Sequence, residues 1–139
     1  MAKIEKTMEV KAPIEKVFAL CADVENYTAF MTGVKGISKT GDTAYHWKMD
    51  IAGRAIEFDT ELVEAVENQK ISWESTGEFA SKGSWSFEPA AEGTTVGYVM
   101  DYTLPGIMGA LFDKMKVSKE VEKGMEESLQ ALKALLEGG

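Results

Sequence analysis

The sequence predicts an α+β domain in which one large antiparallel sheet is covered on a single face by a C-terminal helix. Three observations carry this reading. Segments between Val34 and Leu104 alternate apolar and polar side chains, the turns joining them are too short for parallel crossovers, and the chain then changes to helical spacing.

The elements follow in order. Ile4 to Val10 forms a first strand, with Ile4, Met8 and Val10 on one side and Glu5 and Glu9 on the other. From Ala12 to Cys21 the spacing is helical, and Pro13 suits a first helical turn because its missing N–H costs nothing there. Asp23 is placed to cap a second short helix running through Tyr27, Phe30 and Met31. Turn signals at Thr40-Gly41-Asp42, Ala52-Gly53-Arg54, Glu67-Asn68-Gln69, Thr76-Gly77-Glu78 and Ala91-Glu92-Gly93 then divide a meander.

One parity of that meander is apolar. It carries Tyr45, Trp47, Met49 and Ile51, then Ile56, Phe58 and Leu62, Ile71 and Trp73, and Trp85 and Phe87. Val96, Tyr98, Met100, Tyr102 and Leu104 continue it. The opposite parity carries Lys48, Asp50, Glu57, Asp59, Glu61, Glu74, Glu88 and Asp101, so one face is wet and the other covered. Leu62-Val63, two adjoining apolar residues, is the expected place for a bulge.

The cover is the C-terminal segment, where Val121, Met125, Leu129, Leu132 and Leu136 fall on one helical stripe. A straight helix from Gly106 to Glu137 would be about 48 Å long, against roughly 35 to 40 Å for a domain of this size. The sequence therefore predicts a break near Lys116-Val117-Ser118, with Ser118 as the cap of the main helix and Gly106 to Met115 as a separate short helix or lid.

The whole chain, residues 1–139, reads as a single domain with its own core. Its 45% hydrophobic and 27% charged residues are those of a globular protein, and a net charge of −8 argues against nucleic acid or an anionic membrane as partner. No apolar run reaches the roughly 18 to 20 residues that span a bilayer, and the opening Met-Ala-Lys-Ile-Glu-Lys lacks the apolar core of a secretory signal. Cytoplasmic localisation is the expectation. Cys21 is the only cysteine and reads as a small buried hydrophobe rather than a reactive thiol.

Few residues suggest bond chemistry. His46 is the single histidine, which leaves no Ser-His-Asp, Cys-His or multi-histidine metal arrangement, and alternation puts it on the wet face. Glu57, Asp59 and Glu61 share that face and read as solvated charges rather than a carboxylate pair at work. Arg54, the single arginine, lies in a turn; Gly33, Gly36 and Gly41 lack the Lys-Ser/Thr of a phosphate loop. No catalytic residue, metal site or cofactor is assigned. The polar groups placed to reach the covered face are Tyr45, Thr60, Tyr98, Tyr102 and the indoles of Trp47, Trp73 and Trp85, suited to orienting a ligand on an apolar wall.

Several fragments resemble one family. "VKAPIEKVFALCADVENYTAFM" (10–31) is similar to the opening of the polyketide cyclase/dehydrase and lipid transport family of the START-like, pollen-allergen-like (SRPBCC) superfamily. "ISWESTG", "KGSWSFEPAAEGTTVGYVMDYTLPGIMGALF" and "LQALKALLEGG" are similar to that family's later elements, so the resemblance covers nearly the entire chain. It implies a helix-grip fold, a curved seven-stranded antiparallel sheet around the long C-terminal helix, with two short helices between strands 1 and 2 and a deep apolar cavity. The candidate ligand-binding residues are then Phe30, Tyr45, Trp47, Met49, Phe58, Trp73, Trp85, Tyr98, Met100, Tyr102, Met108, Phe112 and Met125. Without the family, such an aromatic stripe reads as packed core.

The expected function is binding or carriage of a hydrophobic small molecule, a lipid, isoprenoid, quinone or polyketide-like aromatic, in a cavity of about 300 to 1,000 Å³. Two alternatives stand beside it. One is a cyclase or dehydratase that templates its substrate and uses a tyrosine as acid; the other is a protein-interaction module presenting an apolar patch around Ile107 to Phe112.

Overall fold

Alternation of side chains along the chain resolves into seven strands and a long helix in the computed structural model, which describes residues 2–51, 53–77, 80–103 and 114–138. Strand β1 (Ala2–Val10) is followed by helix α1 (Ile14–Ala22) and a 3-10 helix (Val24–Ala29). Strands β2 (Val34–Lys39), β3 (Ala44–Ile51), β4 (Arg54–Val66), β5 (Lys70–Gly77), β6 (Ala80–Ala90) and β7 (Gly93–Thr103) come next, and helix α2 (Lys114–Gly138) follows. All strands pair antiparallel in the order β1-β7-β6-β5-β4-β3-β2, a meander that β1 joins at its far edge. The predicted α+β class and helix-grip architecture are both present.

Register places the apolar parity of every strand on one face. Ile71 pairs with Trp85 and Trp85 with Tyr98, while Trp73 pairs with Gly83 and Gly83 with Met100. The expected irregularity at Leu62-Val63 occurs: the β4–β5 register shifts between Leu62 and Glu64, which leaves Val63 exposed. The two-residue turn Ala91-Glu92 brings Gly93 against β1, where a Cβ would fall 2.1 Å from the Val10 carbonyl oxygen, so only glycine fits. Beside it, Thr94 donates to the Ala12 carbonyl at 2.9 Å.

Helix α2 lies over the apolar face, burying Met125, Leu129, Leu132 and Leu136 as the stripe predicts. Lys6, at an apolar-parity position of β1, reaches it and gives its ammonium to Glu122 at 2.7 Å and Glu126 at 2.8 Å. Farther along, Lys133 donates to the Glu9 carbonyl and Glu137 accepts the Lys11 backbone N–H.

Three local expectations are corrected. Helix α2 runs unbroken through Lys116-Val117-Ser118, so Ser118 lies inside it and does not cap it; a helix of 25 residues is about 37 Å long and fits the domain without a break. Lys114 and Met115 belong to it, while Leu104 to Asp113, with the expected lid and apolar patch, lie outside the described residues. Asp23 precedes the 3-10 helix but makes no side-chain cap hydrogen bond, and Pro13 occupies the cap position before α1 rather than its first turn.

Leu132 has no exposed surface. Leu132→Ala is expected to cost about 2 to 5 kcal/mol, read as a lower urea midpoint and melting temperature.

Candidate ligand cavity

The apolar face is deeper than α2 fills. Beneath the N-terminal half of the helix lies a cavity of about 140 Å³, walled by β3 to β7, the segment from the 3-10 helix to β2, and residues 120–128 of α2. Its exposed lining residues, Thr32, Asp50, Glu120 and Glu127, mark the side that opens to solvent.

Aromatic rings form the wall and a second layer behind it. Trp47 stacks on Phe58 with centroids 5.6 Å apart, and Trp73 meets Tyr98 at 6.1 Å. Trp73 takes its position because Gly83 opposite is bare: a Cβ there would stand 2.2 Å from the indole ring. Behind them Trp85 is fully buried, stacked on Tyr98 at 4.1 Å and donating from its indole nitrogen to the Tyr27 hydroxyl at 3.1 Å. The Tyr27 hydroxyl in turn donates to the Cys21 carbonyl.

Of the sequence-assigned residues, Trp47, Met49, Phe58, Trp73, Tyr98, Met100 and Met125 line the cavity. Phe30, Tyr45, Trp85 and Tyr102 are buried but do not line it, and Met108 and Phe112 lie outside the described residues. Trp85 is displaced from the wall by Tyr27 and Tyr98, which pack over its ring. Sequence reasoning missed Tyr27, Ser81, Gly124 and Ser128, and Met31, one of the methionines suited to line a cavity, joins the wall. The two serines carried a signal: each interrupts an apolar stripe, Ser81 on the parity of Trp85 and Ser128 beside Leu129.

Most polar groups of the wall already have partners. The Trp47 indole donates to the Thr60 hydroxyl at 2.9 Å, the Ser75 and Ser81 hydroxyls share a bond of 2.6 Å, and Ser128 accepts the Thr32 backbone N–H at 3.0 Å. Tyr98 has the weakest one, the Met31 thioether sulfur at 3.9 Å. Burial pushes the Tyr98 hydroxyl well above the ordinary tyrosine range, so it stays protonated. Burial likewise pushes the Cys21 thiol up to about 12; it behaves as a small hydrophobe. Among the described residues no group of three or more His, Cys, Asp or Glu is placed to hold a metal ion, and no described helix is long and apolar enough to cross a membrane.

His46 stands on the opposite face of the sheet, its Nε2 2.9 Å from Glu57 and its Nδ1 2.8 Å from Asp59. The same face holds Lys48 and Glu61, and the whole cluster is remote from the cavity lining.

A seven-stranded antiparallel sheet holding a long C-terminal helix over an apolar cavity defines the helix-grip fold. The structure is similar to a START superfamily protein from Mycobacterium smegmatis, at 20% identity and a TM-score of 0.84 over 98% of this chain and 97% of that one. It is similar also to the Zhui aromatase/cyclase from Streptomyces sp. R1128, at 16% identity and a TM-score of 0.81 over 98% of this chain and 93% of that one. More particularly, the chain belongs to the polyketide cyclase/dehydrase and lipid transport family, whose model matches residues 1–137. An uncharacterized 17.2 kDa protein from the melC2-rnhH intergenic region of Streptomyces lincolnensis is 29% identical over 126 residues, 89% of this chain and 84% of that protein.

The hydrogen bond to Glu57, then that to Asp59, raises the His46 pKa above 6.5. His46 therefore stabilises the fold below about pH 6.5, a contribution that fades as pH rises through the raised folded-state value. As the only histidine it gives one set of ring resonances, and an NMR titration should place their midpoint above 6.5. The stability gap between wild type and His46→Gln should close over the same rise in pH.

Proposed function

We propose that the protein binds a hydrophobic small molecule reversibly, seating an aromatic ring or a short isoprenoid unit in the cavity beneath α2. The observation that carries this is a void walled by Trp47, Phe58, Trp73, Tyr98 and four methionines, Met31, Met49, Met100 and Met125. Methionine adapts to more than one ligand shape, and the rings supply flat apolar surface.

The cavity is smaller than the 300 to 1,000 Å³ expected for a pocket that swallows a drug-sized ligand. At about 140 Å³ it suits a single benzene-sized ring. Burying about 150 Å² of such a ring supplies ~4 kcal/mol before association costs, so the protein holds its ligand weakly enough to release it. Any longer part of the molecule leaves by the side marked by Thr32, Asp50, Glu120 and Glu127. The charged residues among the described lining are all acidic, and Asp50 pairs with Lys35 at 3.3 Å. That rim favours a neutral or cationic outer end over an anionic one.

Naphthalene, 2-naphthylmethylamine and 2-naphthoate share one ring system and differ in charge. The first two should quench the fluorescence of Trp47 and Trp73 on binding, and the carboxylate should bind most weakly, with the gap narrowing at high salt. Failure of all three, and of the single-ring probe toluene as well, would remove the ligand-binding reading; equal binding of all three would remove only the charge preference.

The second reading, a cyclase or dehydratase, is favoured by Tyr98 alone. Tyr98 lines the cavity, and its protonated hydroxyl, held by a weak acceptor, can donate to a substrate carbonyl within reach. With a poly-β-ketone substrate, Tyr98→Phe should then abolish turnover while naphthalene binding persists. Unchanged turnover would exclude Tyr98 as the acid.

A further inference from the structure

Gly124 stands in the interior of α2, where glycine is the poorest helix former after proline. The usual reason for such a glycine is the close approach of a neighbour, as at Gly83 and Gly93, where a Cβ would fall 2.2 Å from the Trp73 ring and 2.1 Å from the Val10 carbonyl oxygen. That reason is missing among the described residues: beyond the helix's own backbone and the chain neighbours Lys123 and Met125, a Cβ at Gly124 would meet no atom within 4 Å. Gly124 instead lines the cavity, next to Met125 and one turn from Val121 and Ser128.

Open space kept free at the expense of helix stability is space for a bound molecule. Building on the hydrophobic-ligand reading above, we propose that Gly124 is the specificity-determining residue of the cavity. Its bare backbone is the helix side of a slot in which a flat ring lies against Trp47, Trp73 and Tyr98, and it sets how wide that ring can be. A methyl group there would come directly out of a void of about 140 Å³, and a larger side chain would occupy most of it. The position trades helix stability for capacity.

The trade gives two readouts that move in opposite directions. In the full chain without ligand, Gly124→Ala should raise the melting temperature by about 2 to 4 °C, the gain of an alanine in a helix interior. The same variant should bind naphthalene roughly tenfold more weakly while affinity for toluene changes by less than about threefold. Gly124→Leu should bind neither probe. A lower melting temperature in Gly124→Ala would mean that the methyl group strikes protein, and would overturn the proposal. So would equal losses for the two probes, or no loss for either. Wild-type protein that binds toluene but not naphthalene would overturn the proposal alone, and wild-type protein that binds neither probe would remove the ligand-binding reading as well.

Discussion

The phenol of Tyr27 is the tie on which the cavity depends. Its hydroxyl donates to the Cys21 carbonyl at the end of α1 and accepts from the Trp85 indole on β6, so one oxygen joins the helical segment to the middle of the sheet. Both ring systems are almost completely buried, and each would cost several kcal/mol if its polar atom lost its partner. With Trp85 fixed, Tyr98 stacks on it and presents its far face to the void. The wall is therefore held from behind by a second layer of buried, hydrogen-bonded rings.

Helix α2 is anchored unevenly over that wall. Leu129, Leu132 and Leu136 bury its C-terminal half, and Lys133 and Glu137 bond to the backbone around the end of β1. Lys6 holds the middle through Glu122 and Glu126. The stretch from Glu120 to Met125 crosses the void with Val121 and Gly124 in place of large side chains. These contacts fasten the C-terminal half and the middle of the helix beside the void.

Much of the fold was legible because period-2 alternation and short turns leave little choice of topology, and the C-terminal stripe had no other surface to cover. The bulge at Leu62-Val63 was legible for the same reason: two neighbouring apolar residues cannot both face inward. The site was legible by face but not by depth. Trp85 and Trp73 share a parity, yet one is packed between Tyr27 and Tyr98 while the other, resting on Gly83, reaches the void. Depth depends on which neighbours lie on top, a tertiary fact that no single-strand pattern contains. Tyr27 was missed because a 3-10 helix has no periodicity long enough to assign a face. The start of α2 was misplaced because the length argument assumed that the helix began at Gly106.

The inward-pointing ammonium of Lys6 also protects the molecule from its own kind. Strand β1 is one edge of an unclosed sheet, and an edge strand is a template that a second chain could extend into an aggregate. A continuous apolar strand there would invite such growth. A charge in the centre of the strand, already committed to two glutamates of the same molecule, does not transfer to a stacked copy without being stripped of its partners. The opposite edge, β2, is short, and its pairing with β3 is broken between Val34 and Gly36. A fold that exposes two sheet edges and keeps an unfilled core thus carries, in one lysine and one irregular strand, its safeguard against polymerising.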